Sequence, residues 1–223
     1  STGDPDSEVS QINTRGSGTL SKDTEVILTE AMEIYKETDG LFDVTIYPLM
    51  QLWGFPTQEY HVPAKSELQE ALAKVDASQV VINGDQVTLG TNQEMDLGGI
   101  AKGYTSARVM EIFREYGITS GMVSLGGNVQ TLNTRPDGKP WQIGIQNPNG
   151  QQGSLLAVLS VENKAVITSG GYERYFEEDG NTYIHILNPK TGYPADSGLV
   201  SVSVISENGM LADALSTSLY LMG

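Results

Sequence analysis

Apolar and polar positions change period along this chain, and the period indicates which element each stretch can form. From Asp23 to about Thr38, Ile27, Ala31, Ile34 and Tyr35 make an apolar stripe at helical spacing. Ser21 can cap this helix, Asp23 and Glu25 complement its dipole, and Gly40 ends it. Ser66 and Gln69 have capping-box spacing for a helix reaching about Lys74. The polar opening, residues 1–20, reads as loop with a short helix around Glu8 to Ile12. Gln79 to Asn83 and Gln86 to Leu89 alternate as the strands of a hairpin around Asn83-Gly84-Asp85. Phe42 to Ile46 reads as a short extended piece broken by Pro48. Leu49 to Phe55 reads as a packed apolar turn with Trp53 as its core anchor.

Met95 to Gly117 changes period midway. A strand end leads into a tight turn at Gly98-Gly99, then into a helix with apolar Ile100, Tyr104, Ala107, Val109, Ile112, Phe113 and Tyr116. Gly117 is its stop. Beyond it, strands are predicted at Gly121–Leu125, Trp141–Gln146, Leu155–Val161, Ala165–Thr168, Thr182–Leu187 and Leu199–Ile205. A last helix runs from about Gly209 to Leu221. Strands with interspersed helices, but without regular βαβ alternation, predict an α+β fold with a mostly antiparallel sheet. No repeat of 20–50 residues and no low-complexity segment interrupts it.

Composition narrows the chemistry. With 223 residues and 39% hydrophobic content, the chain can bury a core as one large domain or two small ones. No apolar run approaches the roughly 20 residues that span a bilayer. The balance of 13 Lys and Arg against 28 Asp and Glu, net −15, argues against nucleic acid as a partner. An anionic ligand would need local compensation, such as a metal ion. The absence of cysteine excludes disulfides, thiol catalysis and Cys-based zinc sites. With only His61 and His185 as histidines, oxygen ligands and a magnesium or calcium ion are the expected metal chemistry.

Several stretches could carry that chemistry. Glycine turns at 98–99, 126–127 and 170–171 follow predicted strands and can turn backbone N–H groups toward a ligand. Lys102 lies in the first turn of a helix, where unpaired N–H groups favour anions. The glycine spacing is neither that of a Walker loop nor G-x-G-x-x-G. Asp213 and Thr217, four apart, share a helix face and could both bind one Mg²⁺, or be a surface acid and a back-bonded threonine. His185, set within a strand, is either structural or a general base near neutrality. Phe42 and Asp43 could face a planar ligand, or Phe42 could be core. His61 reads as a surface histidine.

Together, DLGGIAKGY (96–104), SLGGNVQ (124–130), ITSGGYERY (167–175), HILNPKTGYP (185–194) and ADALSTSLYLMG (212–223) resemble, in this order, the motifs of the ApbE family of FAD-dependent FMN transferases. FDVTIYPLMQLWGF (42–55) and PDSEVSQIN (5–13) resemble its earlier segments, so the likeness runs from about Asp4 to Gly223. The resemblance implies an ApbE-like α+β fold with flanking helices and a ligand cleft at strand ends. It implies a Mg²⁺-dependent enzyme that cleaves FAD, attaches FMN to a Thr or Ser hydroxyl of an acceptor protein and releases AMP. Some relatives mainly hydrolyse FAD to FMN and AMP, and a non-catalytic flavin-binding module is the further alternative.

Carried over by motif, Asp96 and Lys102 contact FAD, and Phe42 and Asp43 line the flavin side. Gly126, Gly127, Thr168, Ser169 and Gly170 shape the pocket, and Leu187 packs on the ligand. The Gly99 carbonyl, Asp213 and Thr217 are the metal ligands, and His185 is the base that activates the acceptor. Gly3 stands where the family often has an aromatic residue, so a flavin-stacking partner is expected to be missing. Ser216 stands where some members carry a second acid. The chain is expected to be a single domain over residues 1–223 that lacks the family's N- and C-terminal ends. The family location is the outer face of the bacterial cytoplasmic membrane, often as a lipoprotein.

Overall fold

Ser21 starts the first long helix as its sequence predicts, its hydroxyl accepting the Thr24 N–H at 3.3 Å. The structure, a computed structural model, describes residues 2–151 and 153–223; Ser1, at the head of the expected opening loop, lies outside them. In chain order the helices are α1 (Glu8–Arg15), α2 (Lys22–Glu37), α3 (Tyr47–Leu52), α4 (Lys65–Leu72), α5 (Ala101–Glu115) and α6 (Gly209–Met222). The strands are β1 (Ser17–Thr19), β2 (Val81–Asn83), β3 (Gln86–Thr88), β4 (Gly121–Leu125), β5 (Asn128–Leu132), β6 (Trp141–Gln146), β7 (Leu155–Val161), β8 (Ala165–Gly170), β9 (Tyr175–Glu178), β10 (Asn181–Ile184) and β11 (Ser201–Ser206). All strand pairs among the described residues are antiparallel. The α+β expectation holds.

The chain divides into two compact units. The first contains residues up to Gly98 together with Arg174–Ser197. In it α2 buries Ile27, Leu28, Ala31 and Ile34, while Tyr35 is drawn aside to place its hydroxyl on Asp76 at 3.2 Å. The predicted hairpin forms as β2–β3, and β1 completes a three-stranded sheet in the order β1-β3-β2. Pro48 does not break the chain. It sits in the first turn of α3, where its missing N–H would have had no helical partner. The α4 cap also differs: Glu67, not Gln69, reaches back to the Ala64 N–H at 2.8 Å. Trp53 is fully buried and donates its Nε1–H to the Gly192 carbonyl at 2.9 Å. Around it Phe176 stacks between Tyr60 and Tyr183, each ring centroid 5.1 Å away.

The second unit contains Gly99–Glu173 and Gly198–Leu221. Its four-stranded sheet has the order β11-β8-β5-β4. The Gly126-Gly127 turn joins β4 to β5 with φ of +58° and +92°, the double positive that a tight hairpin demands. One sheet face buries Val166 against Ile143 and Val161 of the separate β6–β7 ribbon. The other buries Ala165 and Ile167 against Ala212 of α6. β8 continues past its expected end at Thr168, so Ser169 and Gly170 are strand residues rather than part of the turn.

Candidate functional site

In the second unit the site grows from one close helix crossing. The residue before α5, Ile100, has no side chain that can cap the helix. Asp213 of α6 does this instead, its Oδ2 accepting the Gly103 N–H at 2.8 Å. The carboxylate thus lies on the positive end of the α5 dipole. The approach is possible because both helices lack side chains at the contact. A Cβ on Gly103 would run into the Gly209 carbonyl oxygen and lie 2.7 Å from Asp213 Cβ; one on Gly209 would run into Gln130 Oε1. Ser106 Oγ lies 2.9 Å from both the Gly103 carbonyl oxygen and Gln130 Oε1, tying α5 to β5.

This corrects the reading of α5. Its buried stripe is Gly103, Ser106 and Met110. The predicted apolar positions Ile112 and Tyr116 are exposed, Tyr116 by 81%. The crossing selects small residues, and apolar periodicity does not register them.

Asp213 is only 4% exposed, so it is not the surface acid that its spacing alone allowed. Burial raises its pKa, against the lowering effects of the Gly103 N–H, Asn128 and Lys102. Burial also raises Glu173, which feels the positive charge of Lys102 and the negative charge of Asp213. Ser216 and Thr217 follow Asp213 by one helical turn. Ser169 Oγ on β8 lies 2.7 Å from Ser216 Oγ and 3.3 Å from Thr217 Oγ1. Strand alternation turns Thr168 to the opposite sheet face, where its hydroxyl meets Ser203 at 2.6 Å. Gly99 occupies the turn that enters α5, and Lys102 is exposed in its first turn. Gly126 and Gly127 would meet nothing with a Cβ, so their backbone conformation is what calls for glycine. Gly170 is crowded, by the Tyr172 ring.

The first unit holds the remaining candidates. His185 lies just past the end of β10, not inside the strand. Its backbone N–H donates to the Arg174 carbonyl at 3.0 Å, and its Nδ1 lies 3.1 Å from the same oxygen. A carbonyl oxygen only accepts, so Nδ1 carries the proton and Nε2 is the basic nitrogen of the neutral ring. The ring stands edge-on to Phe55, over which the Arg174 guanidinium also sits at 5.7 Å. Asp96 accepts the Gly98 N–H at 2.8 Å, and burial raises its pKa.

Phe42 lies in a bend and Val44-Thr45 in a turn, with Asp43 between them, so Phe42 to Ile46 is not the expected extended piece. The reason is Asp43 itself. Its Oδ1 accepts both the N–H and the hydroxyl of Thr45, at 2.7 and 2.6 Å, and Oδ2 accepts the Ala77 N–H at 3.0 Å. This knot curls the chain and forms one wall of a cavity of about 300 Å³ lined also by Tyr35, Asp76, Pro189 and Lys190. Phe42 and Leu187 are buried, Leu187 within the Trp53 core. His61 is exposed, as expected.

Among the described residues, no group of three or more His, Asp or Glu side chains could hold a metal ion. The donors gathered at the helix crossing are instead one carboxylate and several hydroxyls. Such an all-oxygen set suits a hard cation that keeps waters and ligand phosphates in its shell. Sequence reasoning missed Glu173 and Asn128, which the fold brings to Asp213 from a 3₁₀ turn and from the start of β5.

Comparisons with known proteins show the family and the fold. The ApbE family model matches residues 1–223. The FAD:protein FMN transferase of Haemophilus influenzae is 36% identical over 218 residues, which are 92% of this chain and 61% of the relative. That of Vibrio cholerae is 35% identical over 224 residues, 98% of this chain and 67% of the relative. The chain therefore spans about three-fifths to two-thirds of these relatives' length. The crystal structure of the ApbE protein from Thermotoga maritima superposes with a TM-score of 0.94 at 36% identity, covering 100% of this chain and 73% of that one. Apo flavinyl transferase ApbE from Pseudomonas stutzeri gives 0.88 at 31% identity, covering 99% and 70%. With matching motifs, fold and whole-length family similarity, the chain belongs to the ApbE family.

Proposed function

We propose that this chain is a magnesium-dependent FAD:protein FMN transferase. The acceptor is a protein carrying a Thr or Ser hydroxyl, and the second product is AMP. The hydroxyl oxygen bonds to the phosphorus of the FMN half. The bond from that phosphorus to the bridging pyrophosphate oxygen breaks, and its electron pair leaves with AMP. The hydroxyl proton passes to His185 Nε2.

One observation carries the reading: Asp213 is buried on the N-terminal N–H of α5, with the Ser169 and Thr217 hydroxyls close to its helix turn. Asp213, Thr217 and the Gly99 carbonyl would hold Mg²⁺, which when bound would neutralise pyrophosphate charge. Lys102 and the α5 N-terminus supply the local positive potential that a chain of net charge −15 needs for an anionic ligand. Asp96, Gly126, Gly127, Ser169 and Gly170 are assigned to FAD, with Phe42, Asp43, Thr168 and Leu187 supporting the ligand's surroundings from buried or strand positions. We place the protein at the outer face of the bacterial cytoplasmic membrane, lipid-anchored. A chain without cysteine suits an oxidising compartment.

The test is incubation with FAD and Mg²⁺, with and without a flavin-acceptor domain. AMP release and flavin fluorescence of the denatured acceptor are followed. Covalent flavin together with AMP is the expected result, abolished by EDTA. AMP without covalent flavin would replace transfer by FAD hydrolysis, and bound FAD with neither product would leave a flavin-binding module.

A further inference from the structure

Asn128 opens β5 immediately after the Gly126-Gly127 turn. It is 2% exposed, and its Nδ2 is buried beside Asp213, close enough to lower the carboxyl's pKa but without forming a hydrogen bond of proper geometry. An unpaired buried amide donor is costly, and such a group in a folded chain calls for an explanation. Its position supplies one. Gln130 and Asn128 share a face of β5, since side chains alternate along a strand. Gln130 Oε1 touches the place where a Gly209 side chain would begin. From that contact, two residues back along β5 cover about 6.8 Å and one helical turn along α6 about 6 Å. The effect of the Asn128 side chain on Asp213 places it beside that carboxyl, one turn after Gly209.

The groups around Asp213 complete the picture. The Gly103 N–H takes Oδ2. Lys102 and Asn128 favour its charged form, and burial opposes it. An ionised carboxylate offers about four acceptor positions, so the Gly103 and Lys102 N–H groups still leave room for a cation and for a further donor.

We propose that Asn128 is a positioning residue for Asp213, its amide closing on the carboxylate when a divalent cation is held at the α5 N-terminus. The Nδ2 orientation is required, since a reversed amide would set its oxygen against the carboxylate. The backbone that delivers it is fixed by the two glycines of the turn and by the Val129–Val166 pairing of β5 with β8. This inference rests on the metal assignment of the proposed function.

The test uses the whole chain with Mn²⁺ as probe, titrated in the presence of FAD and read by the electron paramagnetic resonance of free Mn²⁺. Asn128→Leu keeps the volume and removes the donor; Asn128→Ser keeps a shorter donor. Loss of such an outer partner should weaken Mn²⁺ binding about 10-fold or more in Asn128→Leu, with Asn128→Ser recovering much of it. The melting temperature of ligand-free Asn128→Leu should change little, because the amide it removes makes no well-formed hydrogen bond there. Unchanged Mn²⁺ affinity in Asn128→Leu would overturn the proposal. So would a marked fall in ligand-free melting temperature in both variants, which would make Asn128 a structural residue. Absence of Mn²⁺ binding to the unmutated chain would instead reject the metal assignment itself.

Discussion

The aromatic core of the first unit and the α5–α6 crossing of the second fix their residues by opposite means. Around Trp53, position is set by bulk: rings and leucines exclude water, and one indole N–H finds a carbonyl. At the crossing, position is set by what is missing. Gly103 and Gly209 remove the side chains that would keep the helices apart, and Ser106, Gln130 and Asp213 fill the contact with hydrogen bonds. The first arrangement gains from hydrophobic burial and tolerates many apolar sequences. The second brings a carboxylate onto a helix N-terminus, and it tolerates few. Bulk holds the one together; hydrogen bonds across glycine contacts hold the other.

Substitutions can separate the two roles. Asp213→Asn should lower turnover most, by roughly 10³-fold or more, since it removes the charge of the proposed cation ligand; a steady-state AMP assay reads this. The same variant tests stability in the opposite direction. Burial holds the Asp213 carboxyl above its ordinary pKa. A carboxyl raised on folding contributes stability that is complete below its unfolded pKa and is lost as pH rises through its folded pKa. Asp213→Asn should therefore melt higher than the parent at pH 7, and the gain should shrink as pH falls through the carboxylate range. Equal melting at both pH values would show that the carboxylate carries no desolvation cost.

Trp53→Ala should act only on stability, costing about 3–5 kcal/mol by chemical denaturation. His185→Gln should slow transfer by about 10²-fold while FAD binding, followed by flavin fluorescence, stays within a few-fold. Loss of FAD binding would make the histidine structural. Gly103→Ala should have the smallest effect on stability, about 1–3 kcal/mol, because its new Cβ pushes against the Gly209 carbonyl and Asp213. Its effect on metal affinity should exceed what that cost implies, since the displaced residue is the proposed ligand, Asp213.

The same contrast explains what the sequence discloses. Ser21, Asn83-Gly84, Gly126-Gly127 and Trp53 act through local chemistry or through bulk, and each was legible. β5 was not, because Asn128-Val-Gln-Thr-Leu buries polar side chains whose partners lie far along the chain. Thr131, for example, bonds to Lys164 across the strand gap. β1, Ser-Gly-Thr, has no apolar alternation and exists through its pairing with β3. Family motifs pointed to Asp213 and Thr217, but spacing could not tell that Asp213 is buried. That follows from Gly103 and Gly209, over a hundred positions apart in the chain, meeting at one crossing. The α5 stripe misled for the same reason: at the crossing its buried face is Gly103 and Ser106, with Met110 further along.

The most direct test is crystals grown with FAD and Mn²⁺, with data collected at the manganese absorption edge. A single anomalous peak about 2.0–2.3 Å from an Asp213 carboxylate oxygen, with Thr217 in the same shell, is the predicted result. Bound FAD with no peak at Asp213, or with the ion held elsewhere, would contradict the assignment of the α5–α6 crossing as the metal centre.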